Sequence, residues 1–266
     1  WYCSAAVSFL LFLLLNLWCD HLVNMQDAQQ MAGRWSEKKD VAQISCFFSS
    51  KAEVTEDTIQ SFEYSLKNVL QEASITETSE NPSARLWVDA YSADGKITLV
   101  NGRNTLDANA IGIGGDFFLF HPLKLITGSY FSGNDLMQDY CIIDQDAAWQ
   151  LFGSNDVVGM TVYIGNVPHI VTGVVRRPQG RMEKAAGLTS TVVYVSYETL
   201  EAYGTSNGIN HYEIVMPNPV DEFAYGKVKE GIGIDEKNVE IAENSRRYSL
   251  PNRIKTILAF GTRSMN

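Results

Sequence analysis

The sequence predicts an α+β fold behind an N-terminal transmembrane helix: a split β-α-β layer that brackets an inserted β-rich lobe. Three observations carry that expectation. Residues 1–19 contain no charge, no Pro and no Gly. A β-α-β pattern stands near each end of the remaining chain, and the stretch between them is richer in strand-like apolar runs. With 266 residues, 45% of them hydrophobic, there is apolar material for a sizeable core.

Nineteen helical residues rise about 28 Å, close to the roughly 30 Å hydrocarbon core of a bilayer. Trp1, Tyr2 and Trp18 stand at the two ends of this span, where amphipathic rings favour the headgroup level, so they are candidate membrane-interface residues. A cleaved signal peptide is the alternative, although the bulky Trp18 before Cys19 makes a poor lipoprotein signal; a retained helix is preferred. Residues 20–40 are polar and Gln-rich, a helical extension or stalk. Val41–Phe48 reads as a strand. Thr55 then caps a helix whose first turn holds Glu56 and Asp57, where the helix dipole favours acids. Ile59, Phe62, Leu66, Val69 and Leu70 recur at helical spacing, which predicts a helix over 56–72. Beyond a polar loop through residues 79–83, Arg85–Tyr91 reads as a strand, and Asp94-Gly95 as the turn of a hairpin into Ile97–Val100.

In the middle, Cys141–Ile143 is a short strand followed by a helix over Asp146–Phe152 that Gly153 stops. Met160–Ile164, the turn Gly165-Asn166 and His169–Val175 make a hairpin. Arg176–Leu188 is a basic, polar loop, and Thr191–Val195 is another strand. The last third returns to the earlier pattern: a strand at His211–Met216, a helix opened by Asn218-Pro219 and running to about Glu230, and a strand at Val239–Ile241.

Charge is unevenly spread. Residues 20–243 carry 16 Lys/Arg against 31 Asp/Glu, whereas 244–266 carry five basic residues and no acid. An acidic body offers no electrostatic footprint for nucleic acid. A large acidic domain after one apolar span suits an N-in topology with the folded part on the extracytoplasmic side. In the basic tail, Leu250, Ile254, Ile257 and Leu258 form an apolar stripe beside Arg253 and Lys255. That pattern suits either an amphipathic helix at the membrane surface, with Arg253 and Lys255 as interface residues, or a helix packed on the domain. The chain begins at Trp1 and ends at Asn266, which reads as a piece of a longer protein whose second transmembrane helix follows.

Catalytic and metal signatures are weak. The four histidines, at 21, 121, 169 and 211, stand far apart with no HExxH and no neighbouring Cys, so no metal site is expected. Asp135, Asp139, Asp144 and Asp146 lack the Gly and terminal Glu of a calcium loop and read as a solvated face. The glycines at 112, 114 and 115 and at 231 and 233 lack the Lys and the strand-to-helix context of a phosphate loop. No Ser–His–Asp spacing stands out. The four cysteines have no CxxC pair and read as free thiols, with a Cys46–Cys141 bridge left open. No catalytic residue, cofactor or metal is therefore assigned. A low-specificity contact surface remains: Arg176, Arg177, Arg181 and Lys184, a basic patch on an acidic lobe that suits a partner protein, an anionic substrate or headgroups, with an ordinary solvated loop as the preferred alternative.

One succession of motifs is more specific. Asp116-Phe117-Phe118 is followed by Leu125–Phe131 and Asp135, then by Ala147-Ala148, Leu151-Phe152-Gly153, Val158-Gly159, Val162, Ile164, Pro168 and Gly173-Val174. In order and spacing, residues 115–175 resemble the MacB-like periplasmic core domain of ABC-transporter permeases of the MacB/FtsX type, with Ser129 where that family usually has a basic residue. The quoted residues are glycines for turns and apolar side chains for a core, so the resemblance identifies a scaffold. It implies a non-enzymatic extracytoplasmic domain between the first and second of four transmembrane helices. Its implied partners are the membrane lipid bilayer, a cytoplasmic ATP-binding-cassette ATPase and a second permease copy in a dimer, with no nucleic acid. It also implies a division of the chain. Residues 1–19 are the transmembrane helix and 20–40 the stalk. Residues 41–115 and 205–245 form a discontinuous α+β, porter-like subdomain, and 116–204 an inserted β-rich, sabre-like one. Residues 246–266 are the amphipathic segment. A membrane-anchored sensor or adhesin domain on a single anchor is the rival reading, and the lack of a nucleophile constellation argues against a secreted hydrolase.

Overall fold

Unbroken burial along the inner strands gives this protein a sheet with apolar side chains on both faces, and helices cover each of them. The computed structural model describes residues 2–36, 40–76, 84–177 and 190–244. Helix α1 (Tyr2–Asn24) runs for 23 residues. A 3-10 turn (Asp27–Gln29) and the short α2 (Met31–Trp35) lead to β1 (Val41–Phe48) and α3 (Glu56–Glu72). Two long strands follow, β2 (Val88–Asn101) and β3 (Asn104–Gly115), then α4 (Phe117–Phe120) and β4 (Leu125–Gly128). Next come β5 (Tyr140–Asp144), α5 (Gln145–Phe152), β6 (Thr161–Ile164) and β7 (Val167–Val175). The described chain closes with β8 (Val192–Ser196), α6 (Tyr197–Tyr203), β9 (Thr205–Ser206), β10 (His211–Pro217), α7 (Phe223–Gly231) and β11 (Val239–Glu243).

All the strands belong to one mixed sheet in the order β11-β1-β10-β2-β3-β8-β5-β7-β4, with β6 bridging β2 and β7 and β9 lying on β2. Two pairings, β3–β8 and β5–β7, are parallel. Strand β10 shows how the faces divide. Tyr212, Ile214 and Met216 join a core with Phe62, Leu66 and Leu70 of α3. Val215 points the other way, into a second cluster with Met31 of α2 and Phe117, Phe118 and Phe120 of α4. Chain termini and middle thus contribute to one sheet, and the fold is mixed α+β behind an apolar helix.

The helix over 56–72 begins and ends where its pattern predicts, with Thr55 and Thr58 forming a reciprocal capping box. Gly153 stops α5 in the left-handed conformation at φ 73°. The hairpin lies elsewhere than expected. Asp94-Gly95 is not a turn: β2 runs straight through it, pairing Gly95 with Ala110, and the reversal comes at residues 101–104 with Gly102 at φ 60°. Gly95 serves close packing, because a Cβ there would sit 2.4 Å from the Thr205 carbonyl oxygen and 2.9 Å from Leu200 Cδ1. Helix α7 starts at Phe223, later than Asn218-Pro219 suggests, yet the Asn218 side chain still accepts the N–H of Ala224 at 3.0 Å.

The acidic stretch is also corrected in part. Asp144 is buried, not solvated. It caps α5 by accepting the Ala147 N–H at 2.8 Å, and its other oxygen takes Arg177 at 2.9 Å and the Val192 N–H at 3.1 Å. Among the quoted motif residues Phe117, Phe131, Leu151 and Ile164 are core, and Gly128 sits at φ 87° with no room for a Cβ against the Thr172 carbonyl. Cys46 and Cys141 are buried free thiols. Burial pushes both up to about 12, helped at Cys46 by the charge of Glu213.

Candidate functional site

Helix α3 buries one stripe and leaves its flank over the start of β2. There the chain forms a cleft of about 630 Å³, lined by Glu63, Lys67, Leu86, Trp87, Asp89 and Tyr91 among others. Trp87 and Leu86 supply apolar wall. The polar floor is a carboxyl pair: Glu63 on α3 and Asp89 on β2 share a side-chain hydrogen bond. Burial, then the charge of Asp89, raises the Glu63 carboxyl to about 8. Asp89 is raised as well, first by burial and further by Asp116, although hydrogen bonds from Glu63 and Tyr212 and the charge of Arg85 oppose the rise. The Tyr212 hydroxyl donates to Asp89 Oδ2 at 3.2 Å, and Arg85 pairs with Asp116 at 2.5 Å beside it. Both carboxyls are thus raised by burial, and Lys67 and Arg85 line the same cleft. The cleft thus joins an apolar wall to a floor of mixed charge.

The predicted contact residues fare differently. Arg176 is exposed, whereas Arg177 is tied down by Asp144, by Asp146 at 2.5 Å and by the Thr191 hydroxyl at 3.1 Å. Arg181, Lys184, Arg253, Lys255 and Trp1 lie outside the described residues. Tyr2 opens α1 and Trp18 is exposed on it. The cleft was not signalled by any motif, since its carboxyls stand 26 positions apart and meet only because α3 crosses β2. Two of the four histidines, His121 and His211, are also brought together, with ring centroids 5.8 Å apart. The one local hint was His211-Tyr-Glu213, whose i, i+2 spacing on a strand puts both side chains on one face.

Comparisons with known proteins place this architecture. The family model of the MacB-like periplasmic core domain matches residues 25–242. The chain is similar to the macrolide export ATP-binding/permease protein MacB of Pasteurella multocida, 31% identical over 98 residues, which is 36% of this chain and 14% of that protein. It is also 36% identical over 80 residues to the protein of the same name from Neisseria gonorrhoeae, 29% of this chain and 12% of that one. The aligned region therefore spans about one seventh of the first of these relatives or less. Among solved structures it is similar to the periplasmic region of MacB from Actinobacillus actinomycetemcomitans, at 20% identity and TM-score 0.49, covering 82% of this chain and 92% of that one. The extracellular domain of the noncanonic ABC-type transporter YknZ from Gram-positive bacteria is similar at 19% identity and TM-score 0.45, over 75% and 99% of the two chains. With its family model matched from the segment after α1 through to β11, the chain belongs to the MacB-like periplasmic core domain family.

Proposed function

We propose that this chain is the extracytoplasmic domain of an ABC-transporter permease, held at the membrane by α1, and that it works in export without carrying out chemistry itself. The observation that supports this reading is the family match over residues 25–242, which starts directly behind a helix of membrane-spanning length. In this reading a cytoplasmic ATP-binding-cassette ATPase drives the permease, a second copy completes it, and the domain transmits the movement or contacts what is exported. Residues 41–115 with 205–245, and residues 116–204, then act as two lobes, with the β2–β3 ribbon as the shared beam. The α3–β2 cleft is the proposed contact for the exported solute. Its Trp87 wall and its floor of Glu63, Asp89, Lys67 and Arg85 suit an amphiphile with an apolar body and a polar end.

The test is efflux. Cells expressing the complete permease and its ATPase should expel a fluorescent amphiphile in an ATP-dependent way. Exchanging both floor carboxyls, Glu63→Gln with Asp89→Asn, should slow that efflux several-fold while the protein stays at its normal level in the membrane. Efflux that persists after residues 41–244 are replaced by an unrelated domain would overturn the reading.

A further inference from the structure

His211 and Glu213 are two residues apart on β10 and project from the face that also carries Val215 and the second apolar cluster. His121 reaches them from another element. It follows directly on α4, which Phe117, Phe118 and Phe120 anchor in that same cluster. His121 Nε2 stands 2.6 Å from Glu213 Oε2, and His211 Nε2 stands 3.9 Å from Glu213 Oε1. One donor atom from each of the three side chains lies within 4.8 Å of the others. Donors bound to a tetrahedral ion at about 2.0–2.1 Å lie roughly 3.3 Å apart, so the present spacings bracket what an ion needs.

His121 lies close to Glu213, whereas His211 stands 3.9 Å from it, beyond hydrogen-bond reach. The Nε2 of His211 is buried and has no hydrogen-bond partner among the described residues, an arrangement folded proteins rarely keep without a use.

The surroundings fix the three side chains as the outer shell of a metal site does. Ser45 donates to Glu213 Oε1 at 2.7 Å, Gln43 approaches the same oxygen at 3.4 Å, and Asn244 donates to the Ser45 hydroxyl at 2.8 Å. Phe47 stacks on the His211 ring at 4.7 Å with the planes 11° apart, and Phe117 lies 4.6 Å from the His121 ring.

We propose that His121, His211 and Glu213 bind one divalent first-row transition-metal ion, with zinc the ion that suits the set and one position left open to water or another ligand. Two imidazole nitrogens and one carboxylate select such an ion over magnesium or calcium, which prefer oxygen. The site stands at the joint between the membrane helix and the domain. Gln43 also donates to the Ala28 carbonyl at 2.6 Å and accepts the Met31 N–H at 3.0 Å, and Arg34 donates to the Leu119 carbonyl at 2.5 Å. An ion there ties the α4 corner to β10 beside the segment through which α1 enters.

The test uses the full, untagged chain in detergent, stripped with a chelator and titrated calorimetrically with zinc chloride. One ion per chain is expected. Ser45→Ala should weaken binding about 10–100-fold, and His121→Ala and His211→Ala by more, while His21→Ala on α1 changes nothing. Because His211 is partly enclosed, His121→Asn at the more open corner provides a second variant: zinc should raise the Tm of the parent chain and not of this one. Cobalt(II) should give visible d–d absorption in the parent chain that His121→Asn abolishes. Absence of binding at one equivalent, or equal zinc affinity in the parent and both histidine variants, would overturn the proposal.

Discussion

The raised Glu63 carboxyl makes the stability of the whole domain sensitive to pH. The ordinary value of the Glu63 carboxyl is 4.5 and burial lifts it to about 8. Between those values the folded chain keeps a proton that the unfolded chain has released. Stability from this group is therefore full below the unfolded value and is lost as pH rises through the folded one. The Tm of the parent chain should fall between about pH 5 and pH 9 more steeply than that of Glu63→Gln, and near pH 9 the variant should be the more stable. Equal slopes in the two proteins would mean that the Glu63 carboxyl is not raised. A second residue-scale prediction concerns packing. A Cβ at Gly112 would meet Leu200 at 2.8 Å from Cδ2 and 2.9 Å from Cβ, with Leu200 itself fully buried. Gly112→Ala should cost about 1–3 kcal/mol, read as a lowered denaturant midpoint, and Leu200→Ala in the same chain should recover part of that loss.

Among the elements, α5 depends on a single buried acid. Asp144 caps the helix, receives Arg177 and accepts the Val192 N–H of β8, so it joins three pieces of chain at once. Asp144→Ala leaves the half-buried Arg177 without one of its carboxylates and the α5 N-terminus without its cap, and should destabilise the domain by about 2–4 kcal/mol. Arg177→Met, which retains the apolar stem, should cost less than the aspartate change in the same urea titration. This junction also shows what the sequence could tell. The cap of α5 was in plain view, since Asp144 stands where an N-cap belongs and Gly153 where the helix must stop. The ion pair was not, because Arg177 lies 33 positions away and meets Asp144 only when β7 and β5 pair. Helices and short hairpins are set by neighbours in the chain, so α3, α5 and the β6–β7 turn were legible from spacing alone. Strand β3 was missed because its alanines and glycines carry little apolar signal, and Asp94-Gly95 imitated a turn because close approach and reversal both call for glycine. The cleft carboxyls and the histidine cluster share that limit: each is assembled from residues that only the sheet order brings together.

For the molecule as a whole, the decisive contrast is between α1 and everything after it. Large apolar side chains of α1, from Val7 through Trp18, are exposed, whereas Met31, a few residues on, is already buried in the domain. The span Ala6–Asn24 is long and apolar enough to cross a membrane. So much uncovered apolar surface is costly in water and is matched by hydrocarbon. If α1 is an anchor and the domain stands by itself, the two should separate cleanly. The full chain expressed in bacteria should stay with membranes through alkaline carbonate extraction, while a chain beginning at Met25 should appear in the soluble fraction with an unchanged far-ultraviolet circular dichroism spectrum per residue of domain. The proposed function puts the folded domain on the extracytoplasmic side of the membrane. Protease added to intact spheroplasts should therefore digest the domain, and a cytoplasmic control protein should survive. Release of the full chain by carbonate would remove the anchor from the proposed function, and protection of the domain in intact spheroplasts would place the cleft on the wrong side of the membrane for export.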